Sequence, residues 1–221
     1  KELYFVRHGQ TEWNAIRRMQ GQWNSDLSEL GREQAETNGK FLATLDIDHI
    51  VVSPLDRTRQ TADIINQHLG LKVHYDDRIK EWDCGDWSGE MWDEVSAKWP
   101  EQFAAWQADQ FNYRGPNCEN YPDMIDRAKP FLHELDQTPH NRIAIISHGM
   151  IGRVMVACLL GFGPQQMFEF GQPNDTVFHL TQTDNGYISQ HFIGGTDHME
   201  ACPRANTNLQ AINYPPQKQT G

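Results

Sequence analysis

The sequence predicts an α/β domain in which a mainly parallel sheet is covered by helices on both faces. Three observations carry this. Short apolar runs alternate with amphipathic stretches along most of the chain, the signature of strand–helix units that pair in parallel. Two of those runs end in histidine followed by glycine, at His8-Gly9 and His148-Gly149. The length of 221 residues suits one domain, and no linker divides it.

Element by element, Leu3 to Val6 is a short apolar strand that delivers Arg7, His8 and Gly9 to its end, within LYFVRHGQTEWN. From Ser28 to Leu45, Leu30, Ala35, Phe41, Leu42 and Leu45 recur at near-helical spacing, with Asp26 or Ser28 as cap. His49 to Ser53 reads as a buried strand, and Pro54 opens a second helix carrying Ala62, Ile64, Ile65 and Leu69, closed by Gly70. Lys72 to Tyr75 is a further strand, Met124 to Leu135 a helix, Arg142 to Ile146 a buried strand, and Met150 to Leu160 an apolar helix ended by Gly161. Val177 to Thr181 and Tyr187 to Phe192 form a hairpin around Asp184-Asn185-Gly186.

Between Trp82 and Tyr113 the character changes: Trp82, Trp87, Trp92, Trp99 and Trp106 are five of the seven tryptophans. This reads as a helical insertion, residues 82–113, lying as a lid over the site. Trp92, Val95 and Trp99 share a helical face that Phe103 and Trp106 continue after Pro100, placed at the first position of a following helix. The stripe packs the insertion onto the domain, with one or two rings available to line a pocket. Residues 1–202 are thus one domain, and the stretch from Pro203 to Gly221, rich in Asn, Gln and Pro, is expected to be a poorly packed tail.

Charge narrows the partners. Lysine and arginine total 19 against 30 acids, a net charge of −11, which argues against a general nucleic-acid or anionic-membrane surface. Any anion the protein binds needs a local basic pocket. No apolar stretch reaches the roughly 20 residues of a membrane span, and no signal-like segment precedes the first strand, so a soluble cytoplasmic protein is expected. Cys84, Cys118, Cys158 and Cys202 are widely spaced and read as reduced thiols. The histidines, His191 and His198 included, show no metal-ligand spacing, so no metal is expected.

Open α/β sheets bind ligands beyond the carboxyl ends of their strands. If the two histidine-ending strands are neighbours, His8 and His148 meet in that crevice, and the glycine after each lets the backbone turn sharply and approach an anion. In SPLDRTRQTA, Arg57 follows a strand end near a helix start; a guanidinium stays charged and donates in a planar fork that suits a phosphoryl group. Arg59, two residues on, lies on another face and reads as a solvated surface group. In KEWDCGDWSG, Glu81 sits among carboxylates and tryptophans, where partial desolvation can keep a carboxyl protonated.

With RHGQTEWN, QGQ followed by DLSELGREQA, SPLDRTRQTA, Glu81 before CGDWSG, and ISHG in this order, the sequence resembles the histidine phosphatase superfamily, the branch that includes cofactor-dependent phosphoglycerate mutases, over about residues 3 to 180. The resemblance implies a three-layer, phosphoglycerate mutase-like sandwich. It makes His8 the nucleophile that takes the phosphoryl group on a ring nitrogen, surrounded by Arg7, Arg57 and His148. Glu81 becomes the proton donor to the leaving alkoxide and then the base for water. Asn14, Gln20, Gly21 and Gly149 fall at positions near the phosphate.

The compact EWDCGDWSG replaces the longer mutase segment with its NERHYG-like motif, which favours a phosphatase on a small phosphorylated metabolite. Cofactor-dependent phosphoglycerate mutase and a non-catalytic phosphate-binding module are the alternatives. Cys118-Glu119-Asn120 stands where many such phosphatases carry Gly-Glu-Ser, so contacts there differ. Neither cofactor nor metal is expected, because two arginines and two histidines supply the positive field. The tryptophan-rich insertion points to an apolar or ring-bearing leaving group, and Arg17, Arg18, Arg78 and Arg114 are candidates for a second anionic group or plain surface charges.

Overall fold

The computed structural model describes residues 1–193 and 199–201. His198, Cys202 and the tail from Pro203 to Gly221 lie outside the described residues. The strands β1 (Glu2–Arg7), β2 (His49–Val52), β3 (Val73–Tyr75), β4 (Arg142–Ser147), β5 (Thr176–Thr183), β6 (Gly186–Ile193) and β7 (Met199–Ala201) form one sheet in the order β3-β2-β4-β1-β5-β6-β7. The first four pair in parallel, and β5, β6 and β7 extend the β1 side antiparallel. Between β5 and β6 the antiparallel pairing has a local cause. β5 and β6 are joined through Asp184 and Asn185, with Gly186 at φ 103°, a short turn that permits only antiparallel pairing.

The helices are α1 (Glu12–Ala15), α2 (Glu29–Leu42), α3 (Asp56–Leu69), α4 (Trp92–Lys98), α5 (Pro100–Ala108), α6 (Tyr121–Gln137), α7 (Gly149–Leu160) and α8 (Pro164–Phe168). β1 shares its apolar run between two cores: Leu3 and Phe5 join α6 and α7, while Tyr4 and Val6 join α2 and α3. β4 does the same with Ile143 and Ile145 against Ala144 and Ile146. A strand covered on both faces must be apolar at every position, which is why these runs do not alternate.

Boundaries shift where caps decide them. Ser28 caps α2, its Oγ accepting from the Gly31 N–H at 3.1 Å, while Asp26 accepts from Gln60 Nε2 at 2.7 Å instead. α3 starts at Asp56, after Pro54, because the Ser53 N–H still donates to the Ile146 carbonyl at 2.9 Å and the chain must leave the sheet before it can coil. α6 begins at Tyr121, ahead of its apolar periodicity, on a reciprocal cap between Asn120 and Asp123. Gly70 and Gly161 end α3 and α7 in the left-handed conformation at φ 64° and 69°.

In the tryptophan-rich stretch, Trp87 is fully buried and Trp82 nearly so. Trp92 stacks on Trp106 with ring centroids 4.7 Å apart, and Phe103 stacks on Trp106 at 5.7 Å. Pro100 takes the first position of α5, as the sequence indicates. These rings pack mainly on one another and on the α6–α7 core.

What positions the site is the register of β1 on β4. Arg7 lies opposite Ser147, so His8 and His148 leave the sheet side by side at the carboxyl ends. β2, on the far side of β4, brings Ser53 and the start of α3 to the same end. The glycine after His8 answers a packing demand: Gly9 keeps an ordinary φ, but a Cβ on it would lie 2.1 Å from the Gly31 carbonyl oxygen, and a Cβ on Gly31 would lie 1.9 Å from that of Gln10. The sharp turn expected at Gly9 is not there; the close backbone approach is to α2. Gly31→Ala is therefore expected to cost about 1–3 kcal/mol of unfolding free energy, typical of an overpacked core. Urea titration checks this, and a native midpoint in the variant would contradict the contact.

Candidate active site

His8 is buried and held from every side. Its N–H donates to the Ser147 carbonyl at 3.0 Å, its carbonyl accepts from Asn174 Nδ2 at 2.7 Å, and the Gly9 N–H donates to Thr61 Oγ1 at 3.1 Å. Its Nδ1 lies 2.7 Å from the Gly9 carbonyl. A carbonyl only accepts, so Nδ1 carries the proton and Nε2 presents its lone pair. That lone pair faces Arg57 Nε at 3.2 Å.

The same Arg57 N–H lies 3.1 Å from His148 Nδ1. His148 Nδ1 is thus also an acceptor, and its Nε2–H donates to Ser53 Oγ at 2.7 Å. The two imidazoles stand edge to face with centroids 5.3 Å apart. Burial first, then Arg57 and other nearby cationic groups, hold both histidines well below the ordinary imidazole range. For His8, burial is the larger cause, ahead of the arginine neighbours that the sequence pointed to.

Arg57 is itself 1% exposed. Its Nη1 donates to the Trp23 carbonyl at 2.8 Å and its Nη2 to the Gly21 carbonyl at 2.7 Å. Among the described residues its head group meets only carbonyls and imidazoles and pairs with no carboxylate. Burial lowers its pKa to about 10. Arg59, by contrast, is exposed, donates to the Pro54 carbonyl and lies 4.1 Å over the Tyr75 ring, the surface role the sequence indicates.

Arg7 donates from Nη1 to the Gln172 carbonyl at 2.7 Å, and its Cζ is 3.2 Å from where a Gly149 Cβ would sit. Gly149 therefore makes room for Arg7. Gly21 is left-handed at φ 51° and backs onto Cys84, whose Sγ lies 2.8 Å from its would-be Cβ, while its carbonyl holds Arg57. Asn14 Oδ1 accepts from the Thr11 N–H at 3.2 Å, and Gln20 Nε2 donates to Thr11 Oγ1 at 2.8 Å. Those amide atoms order the loop after His8.

Glu81 reaches the N-terminus of α7. Its Oε1 accepts from the Trp82 and Ile151 N–H groups at 2.9 and 3.1 Å, and its Oε2 from the Met150 N–H at 3.1 Å. The carboxyl thus meets backbone donors at a helix N-terminus, contacts that its neighbouring carboxylates and tryptophans in sequence do not indicate. The loop that carries it is clamped by Arg127, which donates to the Arg78 and Glu81 carbonyls at 2.6 and 3.1 Å and pairs with Glu119 at 2.8 Å. Glu119 in turn accepts from the Asp83 N–H at 3.0 Å.

Ser53, Thr61, Gln172 and Asn174 were not legible as site residues. Ser53 shares the strand-end position that singled out Arg57, and that signal could have found it; the 172–174 loop follows α8 and carries no local mark. Below about pH 6.5 unfolded imidazoles take up protons. Burial holds His8 and His148 against this uptake and lowers His49 and His179 as well. The unfolded state then binds more protons, so stability falls as pH drops through that window. Urea titrations are expected to give a lower unfolding free energy at pH 5.5 than at 7.5, with the difference reduced in His8→Asn; equal slopes in both proteins would refute the neutral assignment.

Residues 3–193 match the model of the histidine phosphatase superfamily (branch 1). The chain is 35% identical over 187 residues to "Phosphoserine phosphatase 1" of Hydrogenobacter thermophilus, covering 83% of this chain and 89% of that protein. It is 38% identical over 204 residues to the protein named "Probable phosphoglycerate mutase GpmB" of Erwinia tasmaniensis, covering 90% and 95%. Among solved structures, mycobacterial glucosyl-3-phosphoglycerate phosphatase aligns with a TM-score of 0.73 at 30% identity, covering 81% of this chain and 89% of that one. The alpha-ribazole phosphatase from Shigella flexneri, at 22% identity, shares the fold with a TM-score of 0.80 over 96% and 98%. With the paired histidines, their shared arginine and Glu81 all inside the matched span, the chain belongs to the histidine phosphatase superfamily.

Proposed function

We propose that the chain hydrolyses small phosphomonoesters through a phosphohistidine at His8, with Arg7, Arg57 and His148 around the transferred group and Glu81 moving the proton. One observation carries this reading: a buried arginine without a carboxylate partner donates to the Nε2 lone pair of one neutral histidine and the Nδ1 of another. A buried cation that makes no ion pair is costly, and an anion seated against it removes that cost. A phosphoryl group is such an anion.

In the first step the Nε2 lone pair of His8 attacks phosphorus in line with the leaving oxygen. The P–O bond breaks as N–P forms, and the leaving oxygen takes a proton from Glu81. Charge spread over the equatorial oxygens is met by Arg57 and Arg7, groups already in place, so little reorganisation is needed. His148, oriented by Ser53, stands beside the same group. In the second step water attacks phosphorus, gives its proton to Glu81, and His8 leaves as a neutral imidazole. The Arg127 clamp supports this cycle by fixing the Glu81 loop through its backbone.

The chemistry needs positioned positive donors, which the arginines supply, so activity is proposed to be independent of metal. The relatives named for phosphatase activity support hydrolysis over isomerisation, as does the compact segment after Glu81. Free thiols at Cys84, Cys118 and Cys158 support a reducing, cytoplasmic setting.

Phosphate release from a panel of phosphomonoesters, with 3-phosphoglycerate included and its isomer assayed, tests the reading. Release is expected to persist in a metal chelator and to vanish in His8→Ala; release unchanged in that variant, or abolished by the chelator, counts against it. Arg57→Ala is expected to lower kcat/KM by on the order of a hundredfold or more, the scale of losing a transition-state donor. A fall below threefold would remove Arg57 from the machinery.

A further inference from the structure

The tryptophan nearest the chemistry is not in the insertion. Trp23 supplies the carbonyl that anchors Arg57 Nη1 at 2.8 Å, so only the width of one guanidinium separates its backbone from the His8 nucleophile. Trp23 is nonetheless 56% exposed, the most open large apolar residue among the described residues, while Trp87 and Trp82 are buried. A buried cation and a bare indole thus meet at one residue.

The ring is steadied along one edge. A Cβ on Gly89 would lie 3.0 Å from Trp23 Cζ3 and 3.4 Å from Cε3, and Cη2 of Trp13 comes within 3.7 Å of the same point. Gly89, at φ 82°, is held by its N–H donating to the Met19 carbonyl at 2.9 Å. Arg18 completes the lip, donating from Nη1 to the Gly89 carbonyl at 2.5 Å with its guanidinium 5.7 Å from the Trp13 ring. Of the other cations singled out from the sequence, Arg78 pairs with Asp76 and Glu134 and Arg114 with Asp123, while Arg17 is exposed.

We propose that Trp23 is a specificity-determining residue whose exposed indole stacks against the leaving group, selecting phosphomonoesters of ring-bearing alcohols. The inference rests on the phosphatase reading, which fixes where the leaving group emerges. In-line transfer to His8 sends that group outward from the buried pair. An indole offers it a flat apolar face at low conformational cost, and ring stacking is worth enough to change binding by roughly tenfold. The insertion's tryptophans, of which the sequence left one or two free to line a pocket, stack largely on one another.

The test compares two phosphonates whose C–P bonds resist hydrolysis, benzylphosphonate and propylphosphonate, as competitive inhibitors of phosphate release. The native chain is expected to prefer the benzyl compound by roughly tenfold. Trp23→Leu, which keeps apolar bulk without a flat face, is expected to bring the ratio of inhibition constants close to one, and Trp23→Phe to keep most of it. A ratio near one in the native chain, or a native preference that survives in Trp23→Leu, overturns the proposal. The underlying reading fails separately, through absence of phosphate release from the native chain on any phosphomonoester.

Discussion

One N–H group organises the site. Arg57 Nε is aimed between His8 Nε2 and His148 Nδ1, at 3.2 and 3.1 Å, and a single proton cannot satisfy both fully. The arrangement holds because both rings are neutral, and they are neutral because they are buried beside that cation. Burial of Arg57 is possible because its terminal nitrogens donate to the carbonyls of Gly21 and Trp23. Those carbonyls solvate the charge without cancelling it. The result is an electropositive hole lined by two lone pairs, prepared before any phosphate arrives.

The scaffold's contribution is precision at two strand ends. Parallel pairing of β1 with β4 brings together residues about 140 positions apart, and such a pairing needs long crossovers whose closure carries a large entropic cost. Backbone contacts then lock His8: Ser147 and Asn174 hold its own backbone, Thr61 holds Gly9, and α2 presses against Gly9 through Gly31. Glu81 is placed differently, on a loop outside the sheet. There Arg127 and Glu119 do for the loop what ladder hydrogen bonds do for the strands, tying the 78–83 backbone to α6.

Signals carried by short spacing were readable. The apolar runs gave the buried strands, Gly70 and Gly161 marked two helix ends, and the repeated histidine–glycine strand end pointed to the pair. Signals that depend on what lies across the fold were misleading. Glycine after His8 suggested a sharp turn, but the demand comes from α2. Carboxylates and tryptophans around Glu81 suggested partial desolvation, yet the carboxyl meets three backbone N–H groups because α7 starts beside it. The crowded tryptophans drew attention to the insertion, where Trp87 is buried and Trp92 stacks on Trp106, whereas the most exposed tryptophan among the described residues is Trp23, which nothing in its local sequence distinguishes.

By itself the sequence determined the family, most of the strands and the longer helices, though not the short α1, α8 and β7, because periodicity, caps and motif order are encoded over a few residues at a time. Only the tertiary structure decided which ring nitrogen of His8 keeps its lone pair, that Arg57 lacks a carboxylate partner, that Ser53 orients His148, and that Trp23 stays exposed beside Arg57. Each of those depends on how the chain is packed, and the direction of a proton or the openness of a ring exists only once its neighbours are in place.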